Sequence, residues 1–156
     1  MFVSIPRAAR SSAVAALFFA SIAASTFGWS HDSTAQERDA AAEKFVAQKL
    51  QTWQERMNLK DWKIAVQLVR ADQLEPKTLG NIHWDTDSKT ATIAVLSTED
   101  YKLPWKPMLD DMEFTIVHEL VHLELASLPR SEASRRVEEH AVNEIADALL
   151  KLARHQ

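Results

Sequence analysis

The chain contains no cysteine among its 156 residues, so no disulfide supports it and no thiolate serves as nucleophile or metal ligand. It also lacks a run of about 20 apolar residues, the length a membrane-spanning helix needs. The longest largely apolar stretch, from Ala13 to Ala24, is shorter than that and rich in Ala. Clusters of Lys and Arg are missing as well. Binding to nucleic-acid phosphates calls for such clusters, so that class of partner is excluded. No internal repeat and no low-complexity tract interrupts the sequence.

What remains is the composition of a globular protein, 46% apolar with mixed charge and long enough for one domain. Its first stretch has a separate character. Arg7 and Arg10 precede the apolar run, which is the layout of a secretory signal peptide. Small-residue cleavage sites follow Ala23, with Ser21 at position −3 from the cleaved bond, and Ala35, with Ser33 at −3. The expected division is therefore a signal peptide at 1–35 and a single domain at 36–156, periplasmic or secreted. No stable membrane association is expected after cleavage, and an uncleaved N-terminal anchor is the alternative. Two of the 18 Lys and Arg and one of the 22 Asp and Glu precede residue 36, so the domain beyond is mildly acidic. Without disulfides it must stand on its apolar core.

Hydrophobic periodicity then divides the domain. Ala42, Phe45, Val46, Leu50, Trp53 and Met57 recur at spacings of three and four, predicting an amphipathic helix from Ala35 to about Asn58. The period changes to two at Trp62, Ile64, Val66 and Leu68, the pattern of a half-buried strand. After a polar connection holding Pro76 and Gly80, strands are expected at 81–84 and 89–96, joined by the turn Asp85-Thr86-Asp87-Ser88. Pro104 and Pro107 mark 97–108 as an ordered loop. Asp110 with Glu113 three residues on is a helix-start signal and Pro129 a stop, predicting a helix from about Asp111 to Ser127. Ser131 caps a last helix whose apolar residues are Val137, Ala141, Val142, Ile145, Leu149 and Leu152.

Within the helix expected at 111–127 stands His118-Glu119-Leu120-Val121-His122. Residues four apart lie one above the other on a helix, so His118 and His122 can present imidazole nitrogens to one metal ion. Glu119 is turned about 100° from His118, beside such an ion rather than on it, where it can act as general base. A bare structural role for two imidazoles and a carboxylate is costly here, because Phe114, Ile116, Val117, Leu120, Val121, Leu123 and Leu125 make the helix mostly buried. Catalytic zinc commonly takes three protein ligands. The third is not a histidine at the metzincin spacing, where Leu125 and Leu128 stand. Glu138, Glu139, Glu144 and Asp147 of the last helix are the available carboxylates.

The segment Thr115 to Leu123, followed after a short connection by Glu138-Glu139-His140-Ala141-Val142-Asn143, resembles the gluzincin branch of the zincin metallopeptidases, closest to small bacterial domains of that kind. The resemblance spans about residues 60–154 and rests on two helices. It implies an α+β zincin-like fold: an N-terminal helix, a small twisted sheet of three or more strands, an active-site helix, then a ligand-bearing C-terminal helix. An edge strand would line the substrate cleft. It further implies hydrolysis of a peptide or protein substrate with one zinc ion, Glu119 as general base, and His118, His122 and a glutamate as ligands.

Two arguments bear on that glutamate. Helical rotation puts Glu138 on one stripe with Val142, Ile145 and Leu149. Glu139 instead stacks with Asn143 four residues on, matching the ligand-plus-neighbour layout of the family. Glu139 is the expected ligand and Glu138 its rival. Tyr101, the sole tyrosine, and His83 and His140 are candidate donors to an oxyanion. The chain departs from larger gluzincins in lacking a second lobe and in having Asn143 where an acid stands. A rival from another class is an exported, non-catalytic module that binds metal or a partner on the same scaffold.

Overall fold

Residues 34–129 and 132–155 are described by a computed structural model. The expected signal peptide, apart from its last two residues, and Ser131 lie outside the described residues. The fold is α+β, with three helices and one three-stranded sheet among the described residues.

Helix α1, Ala35–Arg56, begins at a capping box in which Thr34 Oγ1 accepts from the Glu37 amide at 3.2 Å and the Glu37 carboxylate accepts from the Thr34 amide at 2.8 Å. Ala42, Val46, Leu50 and Trp53 form its buried stripe. Strand β1 is Lys63–Val69, β2 Gly80–Asp85 and β3 Thr90–Leu96. The sheet order is β1-β3-β2, with β1 parallel and β2 antiparallel to β3. The chain thus crosses to the far edge before returning through a hairpin to the centre. In that hairpin Asp85 Oδ1 accepts from the amides of Asp87 and Ser88, at 2.9 and 3.3 Å, which fixes the turn.

Ala91, Ile93 and Val95 face the main core, joined by Ile64, Val66, Leu68, Ile82 and Trp84. The other face of the sheet carries a smaller cluster of Val69, Leu74, Ala94 and Leu96. Both faces of β3 are therefore used, as befits a central strand.

Helix α2, Trp105–Glu124, is the central helix: α1 and α3 pack on it, and β2 and β3 run over it. It starts six residues before the sequence signals place it and ends at Glu124 rather than Ser127. Pro104 occupies the N-cap and Pro107 the first turn, where amides have no helical acceptor and proline costs nothing in hydrogen bonds. The prolines open the helix instead of breaking a loop. Glu113, one half of the expected start signal, is inside α2, accepting from Trp53 Nε1 at 2.9 Å and pairing with Lys49 at 2.9 Å.

Helix α3, Glu132–Arg154, buries Val142, Ala146 and Leu150 against the rest. The expected stripe holds only in part: Val142 is buried and Leu149 packs against the core, but Val137 is 70% exposed and Leu152 62%, with Ile145 also exposed. α3 has apolar residues on two sides, and periodicity alone does not say which side turns inward. Among the described residues no helix is long and apolar enough to cross a membrane.

Gly80 locks β2 onto α2. A Cβ there would lie 2.4 Å from Thr115 Cγ2 and 2.7 Å from the Ala94 carbonyl oxygen. Thr115 is itself held, its hydroxyl donating to the Asp111 carbonyl at 3.0 Å. Gly80→Ala is expected to lower unfolding free energy by about 1–3 kcal/mol, the cost of overpacking a tight contact. Urea denaturation measures it, and a companion Thr115→Ser change should recover part of the loss. A Gly80→Ala protein as stable as its parent would show that β2 does not press on α2 there.

Candidate metal centre and cleft

Four residues apart on α2, His118 and His122 bring their Nε2 atoms to 3.1 Å of each other. The Glu139 carboxylate on α3 faces both, with Oε2 3.5 Å from His118 Nε2 and Oε1 3.4 Å from His122 Nε2. For a tetrahedral ion with bonds of ~2.0–2.1 Å, neighbouring ligand atoms stand about 3.3 Å apart. The three separations lie close to that edge length. These residues can hold a metal ion, and among the described residues they are the one group of His and carboxylates that converges in this way.

The outer nitrogens explain why a cation suits the group. His118 Nδ1 lies 3.1 Å from Asn143 Oδ1, and His122 Nδ1 lies 3.1 Å from Glu138 Oε1. Both partners accept, so each ring carries its proton on Nδ1 and turns the lone pair of Nε2 inward. Two lone pairs and a carboxylate then converge on one point with no proton to share. Burial first, and the neighbouring His122 second, lower His118 below the ordinary imidazole value, which favours its neutral form.

The two adjacent glutamates of α3 thus have different places. Glu139, the expected ligand, faces the Nε2 pair, and Glu138 sits behind His122 as the acceptor that orients it. Asn143 stacks one turn after Glu139, in keeping with its spacing in the sequence, and it orients His118. Sequence reasoning does not supply a carboxylate on the far side of His122 in addition to one on the Nε2 side. Adjacent residues on a helix differ by about 100°, so both reach α2 only because each meets a different nitrogen of its histidines. Glu144 is exposed on the far side of α3.

Glu119 is 7% exposed and, among the described residues, makes no hydrogen bond. Burial first, and the Glu139 carboxylate second, push its carboxyl up to about 8. A buried carboxylate without a protein partner is a group held ready for something outside the protein. It opens onto a cleft of about 780 Å³ whose walls include β2 from Gly80 to Trp84, the 75–79 segment, Phe114, the candidate metal group His118, His122 and Glu139, and Glu138 beside it.

Of the candidate oxyanion donors, His83 on β2 lines this cleft. Tyr101 does not: its ring packs into the core and its hydroxyl donates to Asp111 at 2.9 Å. His140 is exposed on α3, one residue and about 100° past Glu139. Sequence pattern places Gly80 in a connection, whereas it begins the cleft strand. Its rarity is the available signal, since the chain's one other glycine is Gly28. The chain matches no protein-family model, no curated protein and no solved structure.

Proposed function

We propose that this chain is a zinc-dependent peptidase of zincin-like architecture, exported from the cell, in which His118, His122 and Glu139 hold one zinc ion and Glu119 is the general base. The observation that carries the reading is the inward convergence of two Nε2 lone pairs and a carboxylate, with an unpartnered buried glutamate next to them. Two imidazoles and one carboxylate in a tetrahedral arrangement suit zinc among the common divalent metals. When bound, the ion supplies a Lewis acid for the scissile carbonyl and makes a nearby water more acidic.

The protein's own residues do the rest. Asn143 and Glu138 hold the imidazoles in one tautomer, and Glu119 takes a proton from water and returns it to the leaving amine. β2 is an edge strand, so its free side offers backbone donors and acceptors to an extended peptide passing along the cleft. His83, which lines the cleft, is the remaining candidate donor to the developing oxyanion. A structural metal site has no need of Glu119, which favours catalysis over a non-catalytic binding module.

Metal analysis of the purified domain with an assay on mixed peptides tests this. One equivalent of zinc, hydrolysis abolished by a chelator and restored by zinc, is the expected result. Tightly held zinc with no hydrolysis of any peptide would instead favour the non-catalytic module.

A further inference from the structure

The 75–79 wall of the cleft contains a lysine in a conformation that lysine rarely adopts. The Thr78 amide donates to the Glu75 carbonyl at 3.1 Å, closing a turn with Pro76 and Lys77 at its centre. Lys77 has φ 71°, so the turn has the type II pattern, with proline at the second position and a left-handed residue at the third. Glycine takes that third position without steric cost, and a side chain with a Cβ does not. Among the described residues, three other than glycine have positive φ: Asn58, Lys77 and Lys89. Asn58 is of a type that tolerates the conformation. Lys89 is tied to Asp61 by an ion pair. Lys77 is not of that type, and among the described residues its ammonium pairs with no carboxylate.

Its surroundings say what it lacks. Lys77 is the sole Lys or Arg among the described residues lining the cleft. Three of the four glutamates there are committed to the metal centre: Glu139 faces the Nε2 pair, Glu138 holds His122, and Glu119 stands beside them. That leaves Lys77 and Glu75 as the charged groups of the outer wall. Backbone strain retained at the rim of a cleft is strain that a bound ligand can justify.

We infer that Lys77 is a specificity-determining residue that pairs with a carboxylate on the bound peptide, so the cleft favours acidic substrates. This rests on the peptidase reading for turnover but not for binding. An acidic side chain and a free C-terminus offer the same carboxylate, and peptides of different design separate them.

The test measures binding to zinc-loaded Glu119→Gln protein, in which hydrolysis is suppressed, by quenching of tryptophan fluorescence. Three probes of one length are compared: a peptide with Glu residues and both ends blocked, its Gln counterpart with both ends blocked, and that counterpart with a free C-terminus. The carboxylate peptides should bind about three- to fivefold tighter than the blocked neutral one, the size of a partly exposed ion pair. Whichever of the two shows the larger preference identifies the source of the carboxylate. Lys77→Gly should abolish the preference while raising Tm by about 2–4 °C, because glycine relieves the turn. Lys77→Glu should reverse the preference, and Glu75→Gln, which removes the opposing charge, should enlarge it. Equal binding of all three peptides by the Lys77 protein, or binding of none, would overturn the inference. Selective binding that depends on Lys77, combined with no hydrolysis by the Glu119 protein, would sink the peptidase reading and leave this one standing.

Discussion

His118→Ala and His122→Ala proteins are expected to bind no zinc at micromolar concentrations, to hydrolyse no peptide, and to lose the rise in melting temperature that zinc gives the parent. Each change removes one of three converging ligand atoms and leaves the others facing a gap. The metal's affinity counts toward the native state, worth about 4 kcal/mol when zinc stands a thousandfold above its dissociation constant. For a domain of this size that corresponds to roughly 15 °C. Calorimetry with and without zinc reads the difference directly. The glutamates grade the same experiment. Glu138→Ala frees the outer nitrogen of His122 and should weaken zinc about 10–100-fold, the usual effect of losing a group that orients a ligand. Glu139→Ala removes a ligand and should weaken it further, as measured by competition with a chromogenic chelator. The reverse order would transfer the ligand role to Glu138. Equal zinc content in the histidine variants and the parent would dismiss the site altogether.

How much of this is legible in the sequence depends on whether a feature is set within one helix or between elements. The His118 and His122 pair is legible because the helical repeat alone stacks them, whatever surrounds the helix. The strands are legible from their period of two, and the hairpin turn from Asp85 to Ser88. The start of α2 is misplaced because Pro104 and Pro107 read as breakers, although a helix's first turn accepts proline freely. The inward side of α3 is misplaced for a different reason. Ala146 and Leu150, buried with Val142, compete with Val137, Ile145 and Leu152, and the contest is settled by Glu138, Glu139 and Asn143 having to meet two histidines on another helix. Tertiary geometry decides that, and no single-helix rule contains it. Gly80 belongs to the same class, since a close approach between β2 and α2 leaves no trace in local pattern.

Glu119→Gln is the change that separates holding a metal from using it. The substitution keeps the shape of the side chain and touches none of the three ligand atoms, so zinc content should stay at one equivalent. Turnover should fall by about 10²–10⁴, the contribution of a positioned general base. The position of the residue is what makes the expectation sharp. Glu119 is buried beside Gly80 and Thr115, opens to the cleft, and accepts no hydrogen bond within the described protein, so nothing but substrate or water is left for it to act on. Burial and the Glu139 charge raise its carboxyl to about 8, and a cation held by His118, His122 and Glu139 would offset that charge and lower the value. A base poised near neutral pH both accepts a proton from water and gives it up to an amine, which a strongly acidic carboxylate does poorly. The two measurements must therefore diverge: metal retained, kcat collapsed. If both fell together, Glu119 would be supporting the site rather than acting in it, and if neither fell, proton transfer would have to be assigned to another residue of the cleft wall, with His83 the first to examine.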